Sequence, residues 1–343
     1  MKILSVCLTA AAVTFGLGAT ASVVAPHMPP TSTATPRPVS ASLVPPAWMQ
    51  HVTNLFAVAP PTPKPSLPDE AWSPPTWLPT DGPVDPWVLA SLDNPDVHTK
   101  GPRVRARGAI VADLDNGQVL WSRHGDTRYP VASLTKLISA LTLVRTEPDL
   151  DRTVCVSMQH WPSRRGARSR FETGVCHDGW DYVGAALVAS DNRGAYGMAP
   201  LAGLPTHAFI DQMHQVSAEL GALEPTWTDP SGLQDDNMAS PRDMLKIVAA
   251  SAAHPTLAMV GSAPSWEIER RQGAQVLGST NRLVRSYDTV VAKTGYTHTA
   301  GWCFATVVRT KGGRTLAAVV LGSPTKVSRF SDARHMLQWA SKN

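Results

Sequence analysis

The sequence has no long basic run. Its arginines cluster only in small groups, such as Arg103, Arg105 and Arg107, then Arg164, Arg165, Arg168 and Arg170, and the formal net charge is only +4. With no basic and aromatic recognition motif beside them, nucleic acid is excluded as a partner class. The arginine excess reads as a solvated surface or as mild attraction to an anionic polymer. Metal-ligating patterns are also lacking: the 11 histidines are scattered and no His-Glu-x-x-His occurs, so no metal or other cofactor is expected. No internal repeat is found, which removes solenoids and related architectures. Charge is moderate at 17%, and the apolar fraction of 43% suits a globular chain.

Proline shows where that chain lies, because most of the 30 prolines precede Arg103. Lys2 and the uncharged run 3–18, ending in Ala19-Thr20-Ala21, have the three-part layout of a secretory signal cleaved after Ala21. Export to the periplasm or cell envelope is therefore expected. No charge appears until Arg37, so the alternative is an uncleaved N-terminal membrane anchor of about 20 residues. Residues 22–103 are rich in Pro, Ser, Thr and Ala, as in Pro60-Pro61-Thr62-Pro63-Lys64-Pro65, and read as an extended, disordered linker. Its tryptophans Trp48, Trp72, Trp77 and Trp87 are candidates for docking on the domain or a partner. Residues 104–343 remain as one domain, long enough to bury a substantial core.

Of the 4 cysteines, Cys7 goes with the signal. In an oxidising compartment, a Cys155–Cys176 disulfide across the arginine-rich stretch would close a loop of about 20 residues, worth roughly 3 kcal/mol in the chain-entropy model. Cys303, in the apolar run 302–308, reads as a buried strand residue.

Residues 108–113 and 118–122 flank Asn116-Gly117 and predict a β-hairpin. Leu134, Leu137, Ile138, Leu141 and Val144 recur at helical spacing across 132–146, with Ser133 and Lys136 at the N-terminal end. Further helical patterns cover 181–189, 206–220, 241–253 and 331–341, and strands are expected at 289–294, 302–308 and 314–321. Strands at both ends of the domain with helices between them predict an α+β fold: one antiparallel sheet, flanked by helices, with an inserted helical region.

An isolated Ser-x-x-Lys carries little weight. Here Ser133-Leu134-Thr135-Lys136 is followed in order by Ser190-Asp191-Asn192 and Lys293-Thr294-Gly295, the trio shared by penicillin-binding proteins and class A β-lactamases. Residues three apart on a helix share a face, so Lys136 can reach the hydroxyl of Ser133. A lysine accepts a proton only if held partly neutral, which burial and a second cation, Lys293, would favour. Ser190 would relay the proton to the leaving amine, and Asn192 would orient the substrate backbone while Asp191 points away. Gly295 leaves room beside the strand. The N–H groups of Ser133 and Tyr296 would form an oxyanion hole. Thr294 and Thr297, with a cation further on, would hold a free carboxylate. His298 reads as a substrate-side or solvent residue.

From about Arg107 to the C-terminus the sequence resembles the low-molecular-mass penicillin-binding DD-peptidases, most closely their D-alanyl-D-alanine endopeptidase branch. The likeness extends to Asp229-Pro230-Ser231-Gly232-Leu233, Ser240-Pro241-Arg242-Asp243, Thr280-Asn281-Arg282-Leu283-Val284 and Ala300-Gly301. It implies the serine β-lactamase/DD-peptidase (transpeptidase-like) fold and a penicillin-sensitive serine carboxypeptidase/endopeptidase. That enzyme would act on peptidoglycan stem peptides through an acyl-enzyme, with β-lactam antibiotics as covalent inhibitors. By the same resemblance Arg329 stands where the carboxypeptidases keep a carboxylate-binding arginine, which leaves the balance between the two cuts open. Tethering is expected at the N-terminus, since the β-rich domain and amphipathic anchor that follow in some relatives are not seen. The rival readings are a serine β-lactamase, which would need a carboxylate for the deacylating water, and a non-catalytic cell-wall-binding protein built around the Pro-rich segment.

Overall fold

The computed structural model describes residues 86–155, 157 and 169–343. The expected signal, most of the Pro-rich linker and Arg164, Arg165 and Arg168 lie outside the described residues. Among the described residues, no single helix is long and apolar enough to cross a membrane.

The hairpin forms where the Asn-Gly pair places it, with Gly117 at φ 63° between β1 (Gly108–Asp113) and β2 (Gln118–Arg123). β9 (Asp288–Thr297), β10 (Gly301–Arg309) and β11 (Thr315–Ser323) complete a five-stranded sheet in the order β2-β1-β11-β10-β9. Its pairings are antiparallel throughout, with Ile110 opposite Val319 and Ala305 opposite Lys293. β9 is thereby an edge strand. The remaining strands are short: β3 (Tyr129–Pro130) with β6 (Met238–Ala239), β4 (Thr153–Cys155) with β5 (Cys176–Asp178), and β7 (Ser265–Ile268) with β8 (Gln275–Gly278). Cys155 and Cys176 face each other across β4 and β5 and are joined by a disulfide.

Period-two alternation sends β1 into two cores. Ile110 and Ala112 join the larger core, while Ala109 and Val111 join the smaller. Both faces of this strand are covered. The C-terminal helix α8 (Ser328–Ala340) closes the smaller core with Phe330, Ala333, Met336 and Leu337. The larger core holds α2 (Thr135–Val144), all of whose residues are buried, together with α3 (Gly179–Leu187), α4 (Asn192–Leu201), α5 (Thr206–Glu219), α6 (Pro241–Ala253) and α7 (Pro255–Ser262). α6 starts where Pro241 and the reciprocal Ser240–Asp243 capping box fix it.

Folded chain begins earlier than the boundary expected at residue 103. Helix α1 (Pro86–Ser91) and the turn after it put Leu89 and Leu92 into the larger core. Two cations of α6 hold this segment. Lys246 donates to Asp93 at 2.7 Å and to the carbonyl of Gly221 at 2.7 Å, and Arg242 donates to the carbonyl of Leu92 at 2.6 Å. The proline-rich composition hid these apolar anchors. Leu92→Ala should cost about 2–5 kcal/mol and lower Tm by several degrees. A thermal melt of the protein checks this, and an unchanged Tm would return the segment to the linker.

Candidate active site

Ser133 sits in a 3₁₀ turn (Ala132–Leu134) that leads into α2. One helical step on, Lys136 is fully buried. Its Nζ donates to Ser133 Oγ at 2.9 Å, to Asn192 Oδ1 at 2.8 Å and to the carbonyl of Ser231 at 2.6 Å. Asn192 is delivered by the first turn of α4, whose N-cap is Asp191. That carboxylate points away from Lys136, accepting from Arg193 N, Gly194 N, Arg170 N and Ser169 Oγ. Ser190, one residue earlier, has φ 60°, and its Oγ receives Lys293 Nζ at 2.8 Å. Five residues from three distant stretches thus surround one point.

Burial sets the electrostatics. It pushes the amine of Lys136 down to about 7, against the opposing pull of the Asp229 and Asp191 carboxylates. Lys293 lies well below the ordinary lysine range because of burial first, then the charges of Lys136 and Arg329. A neutral Lys136 has two N–H donors, enough for the carbonyl oxygens of Asn192 and Ser231. Its lone pair then faces the hydroxyl of Ser133, as a general base requires.

The edge strand approaches this turn closely. A Cβ on Gly295 would stand 2.8 Å from the carbonyl of Val131 and 3.2 Å from Ser133 N, and one on Gly232 would overlap the carbonyl of Ala132. Both glycines are therefore demanded by contact.

The sequence profile of the D-alanyl-D-alanine carboxypeptidase family matches residues 96–325. The chain belongs to this family. A D-alanyl-D-alanine endopeptidase of Pseudomonas aeruginosa is 30% identical over 236 residues, 67% of this chain and 76% of the relative. A D-alanyl-D-alanine carboxypeptidase of Mycobacterium tuberculosis is 29% identical over 217 residues, 62% of this chain and 74% of the relative. A crystal structure of a D-alanyl-D-alanine carboxypeptidase from Mycobacterium tuberculosis aligns with a TM-score of 0.67 and 27% identity, over 73% of this chain and 96% of that one. The DD-transpeptidase of Streptomyces K15, at 21% identity and a TM-score of 0.66 over 71% of this chain and 100% of that one, shares the fold. As a family member the chain is a serine-type DD-peptidase.

In this peptidase the two threonine hydroxyls expected to hold a carboxylate are bonded to protein groups. Thr294 is buried and donates to Thr280 Oγ1 at 2.8 Å. Thr297 donates to Asp235 at 2.6 Å. Arg329 is buried, with its Nη1 on the carbonyls of Gly295 and Cys303 at 3.0 and 3.4 Å and its guanidinium against the rings of Trp302 and Phe330. It braces the edge strand, because its first turn of α8 packs under β10. Tyr296 is half exposed, its ring stacked on Trp302 at 4.0 Å.

Three functional groups escaped the motif reading. The carbonyl of Ser231 is the third partner of Lys136. Asp229 holds that carbonyl in place, taking N–H donors from Ser231, Gly232 and Gln234 at 2.6, 2.8 and 2.8 Å. Asp235 meets Thr297. A carbonyl leaves no mark on a sequence, but an Asp followed by Pro-Ser-Gly is an Asx-type loop signal that could have flagged Asp229.

With Lys136 neutral as the active form, kcat/KM for an acyl-D-Ala-D-Ala peptide should rise about tenfold from pH 6 to pH 8, following an apparent pKa near 7. A profile flat over that range would remove Lys136 as the base. Gly295→Ala should lower kcat/KM about 10²-fold or more by forcing the strand off Ser133 N, measured beside an unchanged circular dichroism spectrum.

Proposed function

We propose that this DD-peptidase is exported and penicillin-sensitive, and that it cuts D-alanyl bonds of peptidoglycan stem peptides through an ester on Ser133. The buried contact between Lys136 and Ser133 carries the reading. Neutral Lys136 takes the Ser133 proton as Oγ attacks the carbonyl carbon of the penultimate D-alanine. The developing oxyanion faces the N–H groups of Ser133 and Tyr296. Collapse expels the amine, which receives through Ser190, a hydroxyl bonded by Lys293, the proton that Lys136 had taken, so that Lys136 is neutral again. Water then hydrolyses the ester, returning Ser133 and releasing the acid. A β-lactam enters the same first step and stays as the penicilloyl ester.

Both a terminal D-alanine and a D-alanyl cross-link offer the required bond, and the relatives' names span the two cuts. Against the β-lactamase alternative, Asp191 and Asp229, the carboxylates felt by Lys136, spend their oxygens on backbone N–H donors. Neither is a free base for a deacylating water. Export rests on residues 1–21, with the Pro-rich stretch as spacer.

Mass spectrometry should find one penicilloyl adduct on the wild type and none on Ser133→Ala. Pentapeptide and cross-linked muropeptides should be shortened or split by the wild type only. Lys136→Arg, which keeps the charge but cannot act as a base near neutral pH, should lose about 10³-fold in kcat/KM. Activity surviving in Ser133→Ala refutes the assignment. Cell fractionation should place the protein in the envelope, and recovery from the cytosol alone would refute export.

A further inference from the structure

Asp235 belongs to the loop that carries Ser231 and reaches the far end of the edge strand. Its Oδ1 accepts from Thr297 Oγ1 at 2.6 Å and its Oδ2 from Thr299 Oγ1 at 2.5 Å. A hydroxyl has one proton. Thr297 gives that proton to Asp235 and already accepts the N–H of Ala300 at 3.0 Å, so it has none to offer a substrate in this arrangement. The loop is held by Asp229, which takes Gln234 N at 2.8 Å, immediately before Asp235. The carboxylate is therefore presented by a braced backbone, beside exposed side chains that can let it go.

We infer that Asp235 is a specificity-determining residue of the site: its carboxylate competes for Thr297 with the free α-carboxylate of a leaving D-amino acid, and repels it. The enzyme consequently favours leaving residues whose α-carboxylate is blocked as an amide over those that carry it free. Thr294 adds to the bias, because its hydroxyl proton is committed within the protein. The inference rests on the proposed DD-peptidase reading, in which the leaving residue lies beside Thr297. It deepens that reading by naming the chemistry that the leaving-group side selects.

The test is the ratio of kcat/KM for an acyl-D-Ala-D-Ala peptide ending in a free carboxylate to that for the same peptide ending in an amide. Asp235→Asn, close to isosteric but neutral, should raise this ratio about 3- to 10-fold, the range for one unscreened like charge at a partly exposed site. The gain should shrink in 1 M salt. Asp235→Ser should move the ratio the same way, which keeps the test open if the amide misfolds. A ratio that does not move, with both peptides slowed alike, would make Asp235 a structural latch and overturn the inference alone. If the wild type cleaves neither peptide, the parent reading fails with it.

Discussion

Everything at the centre of this structure depends on a lysine that should not be comfortable there. Removing an ammonium from water costs several kcal/mol even after relaxation, and Lys136 is wholly buried. Its Nζ is tolerated because three oxygens converge on it, from its own helix, from the start of α4 and from the loop after α5. The same three bonds tie those elements together. A group that is costly charged and well satisfied neutral sits near the balance between its two forms, which is what a base at neutral pH has to do. Chemistry and architecture here are one constraint.

The backbone around that lysine carries the associated strain. Ala132, just before the nucleophile, has φ 50°, and Ser190 has φ 60°. Left-handed conformations at residues other than glycine cost on the order of 1–3 kcal/mol each. They persist because neighbours over-determine them. Thr135 Oγ1 donates to the carbonyl of Ala132 at 2.8 Å, and Asp191 N donates to the carbonyl of Ala185 at 2.9 Å while Lys293 holds the Ser190 hydroxyl. Both strained residues aim a serine hydroxyl at a lysine, so the strain lies where a regular helix or strand would have turned it elsewhere.

Much of this was legible in the sequence, and the reasons are specific. The hairpin was readable from Asn116-Gly117, α6 from Pro241 inside a capping box, and the central helix from its leucine spacing. Convergence of Ser133, Lys136, Ser190, Asn192 and Lys293 was readable because each chemical role demands a side-chain type. What stayed hidden was of two kinds. α1 is short and set among prolines, so its two buried leucines could not outweigh composition, and α4 starts on the second motif itself, where Asp191 caps it. The bonding around the expected carboxylate-binding residues was not readable because the acceptors that take Thr294, Thr297 and one nitrogen of Arg329 lie far away in sequence: Thr280, Asp235 and the carbonyls of Gly295 and Cys303. A motif announces donors. It does not reveal what they are already bonded to.

That difference divides the groove into two halves with different physics. On the acyl side, the side chains of Lys136, Lys293 and Asp229 are buried, and removing any one strands its partners without water, so the side chains there are held to one arrangement. On the leaving-group side the hydroxyls of Thr297 and Thr299 and the carboxylate of Asp235 are at or near the surface. Their bonds can be exchanged for water or for a ligand at little net cost. The bond-breaking machinery can therefore stay fixed while the choice of leaving residue shifts through exposed side chains alone. A family whose members are named for both terminal and internal cuts is what such a division permits: the covalent step is common, and the distinction between substrates rests on a few hydroxyl protons at the rim.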